Sequence, residues 1–103
     1  MKNLRILPEV LHDLSEAAEW YDSEGNLGLG DRFIDTFYTY LPCIPDHHEV
    51  HRQIYNGFKR ILLKPFPYKL YYRVHQSEYL VSLVIHAARE PKLIKEALRN
   101  RNL

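Results

Sequence analysis

The spacing of apolar residues changes once along this chain, and that change most constrains its fold. Val10, Leu14, Ala17, Ala18 and Tyr21 recur at helical spacing, as do Phe33, Phe37, Tyr40, Leu41 and Ile44. From Phe58 onward the pattern is that of strands. Tyr68 to His75 alternates, with Tyr68, Leu70, Tyr72 and Val74 on one face and Lys69, Tyr71, Arg73 and His75 on the other. Tyr79 to Ala87 is apolar on both faces, as a central strand is. Helices followed by strands predict an α+β fold, with a small, mostly antiparallel sheet packed on an N-terminal helical hairpin. The 103 residues suit a single domain, 1–103.

Punctuation residues place the elements. Leu4 to Leu7 reads as a strand, and Pro8 fits the first turn of a helix running from about Glu9 to Asp22. Ser23 to Asn26 is a turn, with Asn26 as the expected N-cap of the second helix. Gly28 and Gly30, near the start of that helix, are expected to let the two helices approach closely. Pro42 ends it, and Pro45 to Asn56 reads as irregular, with a short extended piece near His51 to Tyr55. Phe58 to Lys64 is a strand, broken by Pro65-Phe66-Pro67, and His75 to Glu78 is a hairpin turn. Pro91 to Leu103 reads as a short basic helix that frays. The order is β-α-α-β-β-β plus a C-terminal helix, with the helices expected on one face of the sheet.

Charge is segregated although the net charge is only +1. Glu9 to Glu24 holds six acidic residues and no Lys or Arg, while Arg52 to Arg73 holds six basic residues and no Asp or Glu. One acidic and one basic side are expected, the latter attracting nucleic acid or an acidic protein. The single cysteine, Cys43, excludes an internal disulfide and suits a reducing cytoplasm; it reads as a buried, inert thiol. The N-terminus lacks the apolar run of a signal peptide, and the Leu80 to Ala88 stretch is too short to span a bilayer, so no membrane role is expected.

Few motifs carry chemistry. His47-His48-Glu49-Val50-His51 lacks the helical frame of a zinc-binding HExxH and reads as structural or incidental. No glycine-rich phosphate loop and no G-x-S-x-G elbow are present, and no cofactor is expected. The sheet is more informative. Arg60, Lys69, Arg73, His86 and Arg89 fall on, or at the ends of, adjacent strands. A metal-independent nuclease needs cations for the pentavalent phosphate and an acid or base that titrates near neutrality. Lys69, Arg73, His86 and Arg89 are therefore the candidate catalytic set, with Tyr68, Tyr71 and Tyr72 available to stack on bases. The alternative is an ordinary solvated strand face and a structural histidine.

Four blocks carry a resemblance over nearly the whole chain. They are Glu16-Ala17-Ala18-Glu19-Trp20-Tyr21, Gly28-Leu29-Gly30-Asp31-Arg32-Phe33, Pro65-Phe66-Pro67-Tyr68-Lys69-Leu70-Tyr71-Tyr72-Arg73-Val74 and Val84-Ile85-His86-Ala87-Ala88-Arg89-Glu90-Pro91. Together they resemble the RelE/ParE superfamily of bacterial toxins, the toxin halves of type II toxin–antitoxin systems, also called plasmid stabilisation proteins. The resemblance implies a cytoplasmic growth inhibitor neutralised by a cognate antitoxin. It also implies one of two targets. ParE-type members inhibit DNA gyrase, whereas RelE-type members cleave mRNA on the ribosome. Arg89 falls near a late arginine of the ribonucleases, and Lys69 falls where they often carry arginine. Their C-terminal catalytic tyrosine has no counterpart between Glu90 and Leu103. The Phe-Pro-Tyr and His-Ala-Ala-Arg blocks are more similar to the ParE branch. Gyrase inhibition is thus the first expectation, mRNA cleavage with His86 as the acid the second, and a non-toxic antitoxin-binding relative the third.

Overall fold

The computed structural model describes residues 2–25 and 27–101. Its elements are β1 (Asn3–Ile6), α1 (Pro8–Ser23), α2 (Leu29–Tyr40), α3 (Cys43–His47), a 3-10 turn (His48–Val50), β2 (Gln53–Tyr55), β3 (Phe58–Leu62), β4 (Tyr68–His75), β5 (Glu78–His86) and α4 (Pro91–Asn100). The five strands form one sheet in the order β1-β5-β4-β3-β2. β1 runs parallel to β5, and every other neighbouring pair is antiparallel. This is the expected α+β architecture.

The α1–α2 hairpin covers one face of the sheet. Val10, Leu14, Ala17, Ala18 and Tyr21 of α1 are buried, as are Phe33 and Phe37 of α2. Tyr21, Phe33, Phe66 and Tyr68 form an aromatic knot, with the Phe33–Tyr68 ring centroids 4.9 Å apart and Phe33–Phe66 5.2 Å apart. Edge-to-face pairs of this kind add about 0.5–1.5 kcal/mol each beyond the area they bury. Gly30 sets the spacing of the hairpin. A Cβ there would lie 2.5 Å from the Ala18 carbonyl oxygen, and the Gly30 N–H donates to Asp22 Oδ1 at 3.0 Å. Gly28 serves differently: it caps α2 at φ 89°, a left-handed conformation that glycine adopts without penalty. The expected cap, Asn26, lies outside the described residues.

Three expectations need correction. The stretch from Pro45 to Val50 is not irregular, whereas the extended piece expected near His51 to Tyr55 is present as β2. Pro42 ends α2, as expected, but Ile44 is fully buried in α3, and a 3-10 turn and β2 follow. β2 joins β3 through Asn56 (φ 46°) and Gly57 (φ 82°), the two left-handed residues that a tight hairpin turn requires. The helices are not confined to one face, because α4 packs on the far side of the sheet. There Ile94 and Leu98 bury against Phe58, Tyr71 and Leu83. β4 is consequently buried on both faces around Leu70, Tyr71 and Tyr72 rather than half-buried throughout. Finally, α4 is tied down through Arg101. Its guanidinium pairs with both Asp13 carboxylate oxygens, at 2.5 and 2.9 Å, and donates to the Ser82 carbonyl at 3.2 Å. Asp13 also accepts the Val84 N–H at 3.1 Å. One carboxylate thus links α1, β5 and the end of α4 beside a bulge at Ser82, where Tyr71 pairs with Leu83 but Tyr72 with Val81.

Candidate functional site

β3, β4 and the Ala87–Pro91 connection bring cations together beneath α4. Arg60 pairs across the ladder with Tyr71, and Lys69 lies two residues before Tyr71 on the same face. These two cations, with Arg89 and Lys95, line a cavity of about 240 Å³. Ile54 and Tyr55 of β2 and Ile94 and Leu98 of α4 form its apolar walls, and among the described residues no Asp or Glu lines it. Burial pushes the Lys69 ammonium pKa down, and neighbouring Arg60 pushes it further in the same direction. The described lining is thus a concentration of positive charge, suited to an anionic group attached to an apolar one.

The other two candidates are placed elsewhere. Arg73 shares the face of Lys69 and Tyr71 but lies further along β4, towards the β4–β5 turn. Its guanidinium sits 5.3 Å from the centre of the Phe58 ring, and Nη2 is 3.4 Å from His75 Nδ1. His86 pairs with Tyr68 across the ladder and so faces the helical hairpin, opposite Lys69. Its ring meets Tyr68 edge-on at 5.1 Å, and its Nδ1 accepts the Ala88 N–H at 3.0 Å. It lines a second cleft, of about 470 Å³, between α1 and α4, with Trp20, Tyr68 and Arg101. Arg89 lies at the junction and lines both spaces; its N–H donates to the His86 carbonyl at 3.1 Å. Burial raises the Tyr68 phenol pKa, which Arg89 opposes.

The structure therefore joins Lys69 with Arg89, and Arg89 with His86, but does not assemble all four candidates around one point. Lys95 and Tyr55 were missed from the sequence. The Ile94/Leu98 spacing of an amphipathic helix starting at Pro91 would have placed Lys95 at the sheet, and Asn56-Gly57 would have marked the hairpin that delivers Tyr55. The thiol of Cys43 is half-buried against the main core, not fully enclosed. His48 and His51 are turned inward, onto the hydroxyl of Tyr72. No helix among the described residues is long and apolar enough to cross a membrane.

The fold has a counterpart among known structures. Nine solved chains match, including one described as the chromosomal ParDE TA system from P. aeruginosa. That match has a TM-score of 0.74 at 13% identity and covers 84% of this chain and 96% of the other. The two chains share a fold. No family model matches this sequence, and no curated protein matches it at the sequence level.

Proposed function

We propose that the chain is the toxin component of a type II toxin–antitoxin system, in the RelE/ParE superfamily, and acts by binding a large target rather than by chemistry. The fold shared with a ParDE structure carries this reading. The cation-lined cavity under α4 supports a binding role, because it offers Arg60, Lys69, Arg89 and Lys95 to an anionic or acidic surface. The placement of His86 on the opposite face of the sheet from Lys69 supports binding over cleavage. A general acid must lie within hydrogen-bond reach of the group it protonates, and here the imidazole and the lysine are separated by the sheet. DNA gyrase is the proposed target, a cognate antitoxin the proposed neutralising partner, and the cytoplasm the proposed site of action.

A supercoiling assay with purified protein tests the target. Inhibition of gyrase that is lost in Lys69→Ala/Arg89→Ala is the expected result. Full supercoiling at large molar excess contradicts gyrase as the target. Cuts within codons, mapped by primer extension in a translating extract, would instead establish the ribonuclease reading. Unimpaired growth on expression without antitoxin would establish a non-toxic relative.

A further inference from the structure

The histidine cluster between α3 and β2 has a geometry that neither target reading uses. His48 opens the 3-10 turn and His51 caps its end three residues later, a spacing that stacks side chains on one face. Both rings turn onto the same atom. The Tyr72 hydroxyl lies 2.5 Å from His51 Nδ1 and 3.3 Å from His48 Nδ1. Tyr72 belongs to the centre of the sheet and is fully buried. The His48 ring also packs edge-on against Tyr79 of β5, with centroids 5.3 Å apart.

Counting donors fixes what this arrangement tolerates. A phenol has one O–H to donate and lone pairs to accept. With both imidazoles neutral, one presents N–H to the oxygen and the other accepts the phenolic proton. With one imidazole charged, that pattern survives. With both charged, two N–H groups point at one oxygen, the phenolic proton loses its acceptor, and two cations stand a few ångström apart. The surroundings add positive charge. Lys59 of β3 donates to the His48 carbonyl at 2.7 Å, Lys2 lies 5.8 Å from the centre of the Tyr79 ring, and His47 lies beside His51 with centroids 6.4 Å apart. Glu49, on the turn itself, is the opposing acid.

We propose that His48, His51 and Tyr72 form a proton-operated latch that fastens the α3–3-10 segment to the sheet. Protonation of both histidines releases the segment and loosens β2, which follows His51 after one residue. β2 is an edge strand and supplies Ile54 and Tyr55 to the wall of the cationic cavity, so acidification opens that wall. The latch stands independently of what the cavity binds.

The electrostatic environment agrees with this geometry. Burial lowers both histidine pKa values. Lys59 and Lys2 add to the effect at His48, and His47, Lys59 and His48 add to it at His51. Because the folded values lie below the unfolded one, the unfolded state takes up protons first as pH falls. Stability from the latch is therefore complete above the ordinary histidine range and is lost as pH drops through that range towards the folded values.

Amide hydrogen exchange between about pH 7.5 and pH 5, where histidine charge changes, reads the latch directly. After correction for intrinsic exchange rates, protection of Gln53–Tyr55 is expected to fall about tenfold on acidification, the modest end of what two adjacent like charges cost near a surface. Protection of β4 should hold. In His48→Gln/His51→Gln the dependence should flatten. Unchanged protection of β2 in the native sequence, or the same fall in the double variant, overturns the proposal. Ring-proton NMR on the native sequence gives a second reading that needs no variant. Two coupled titrations below the ordinary range support the latch, and two independent ordinary ones overturn it.

Discussion

The two faces of the sheet are built on different terms. Under the α1–α2 hairpin, seventeen buried residues among those described form one continuous core, rich in aromatic pairs and drawing on β3, β4 and β5 as well as the helices. Under α4, five of the described residues, Phe58, Tyr71, Leu83, Ile94 and Leu98, form a separate small buried core. The area left over on that second face is occupied by cations around an open cavity. The first face is filled and therefore specifies the fold. The second is held by a few apolar anchors and by the Asp13–Arg101 pair, and therefore leaves room for a ligand. The large core lies on one side of the sheet, and the proposed binding surface on the other.

Substitutions that probe each face should differ in kind. The largest loss is expected for Phe33→Ala, which empties the centre of the aromatic knot. About 3–5 kcal/mol of unfolding free energy should disappear in urea titration. Leu98→Ala, fully buried but in the smaller core, should lose about 2–4 kcal/mol. It should also loosen α4, seen as faster amide exchange from Pro91 to Asn100 ahead of the rest of the chain. A loss equal to that of Phe33→Ala with uniform exchange would break the comparison, because the two cores would then be one cooperative unit. Arg101→Ala should cost about 2 kcal/mol. Its pair with Asp13 retains 19% and 12% side-chain exposure, so solvent screens part of the larger penalty expected for a fully buried pair. Lys69→Ala should change stability least, within about 0.5 kcal/mol, and removing one of several crowded cations could even be favourable. A large loss there would mean that the cavity is structural.

The difference between the faces also explains what was legible in the sequence. Long periodic runs report the filled face well. The α1 stripe from Val10 to Tyr21 and the Tyr68/Leu70/Tyr72 alternation are both realised, because each is enforced by burial against the same core. The far face was less legible because Ile94 and Leu98 offer only two anchors, and nothing local says which side of the sheet a terminal helix will cover. The part of the Pro45–Asn56 stretch before β2 is hard to read from sequence because its apolar anchors are sparse: Ile44 just before it and Ile54 after it. Its order comes from tertiary contacts of His48 and His51 with Tyr72, residues more than twenty positions away. The candidate set was legible as types but not as a constellation. Lys69 and His86 lie near the same end of the paired strands β4 and β5, yet strand alternation sends them to opposite faces.

Growth arrest in cells is the most direct test of the central claim, that the cationic face under α4 carries the toxic function. The protein would be expressed without any antitoxin, in native form and as Lys69→Glu/Arg89→Glu. Expression level and urea midpoint would be measured alongside growth. The expected result is arrest by the native protein and normal growth with the double variant, at equal abundance and nearly equal stability. Arrest of the same depth by the folded double variant would contradict the claim.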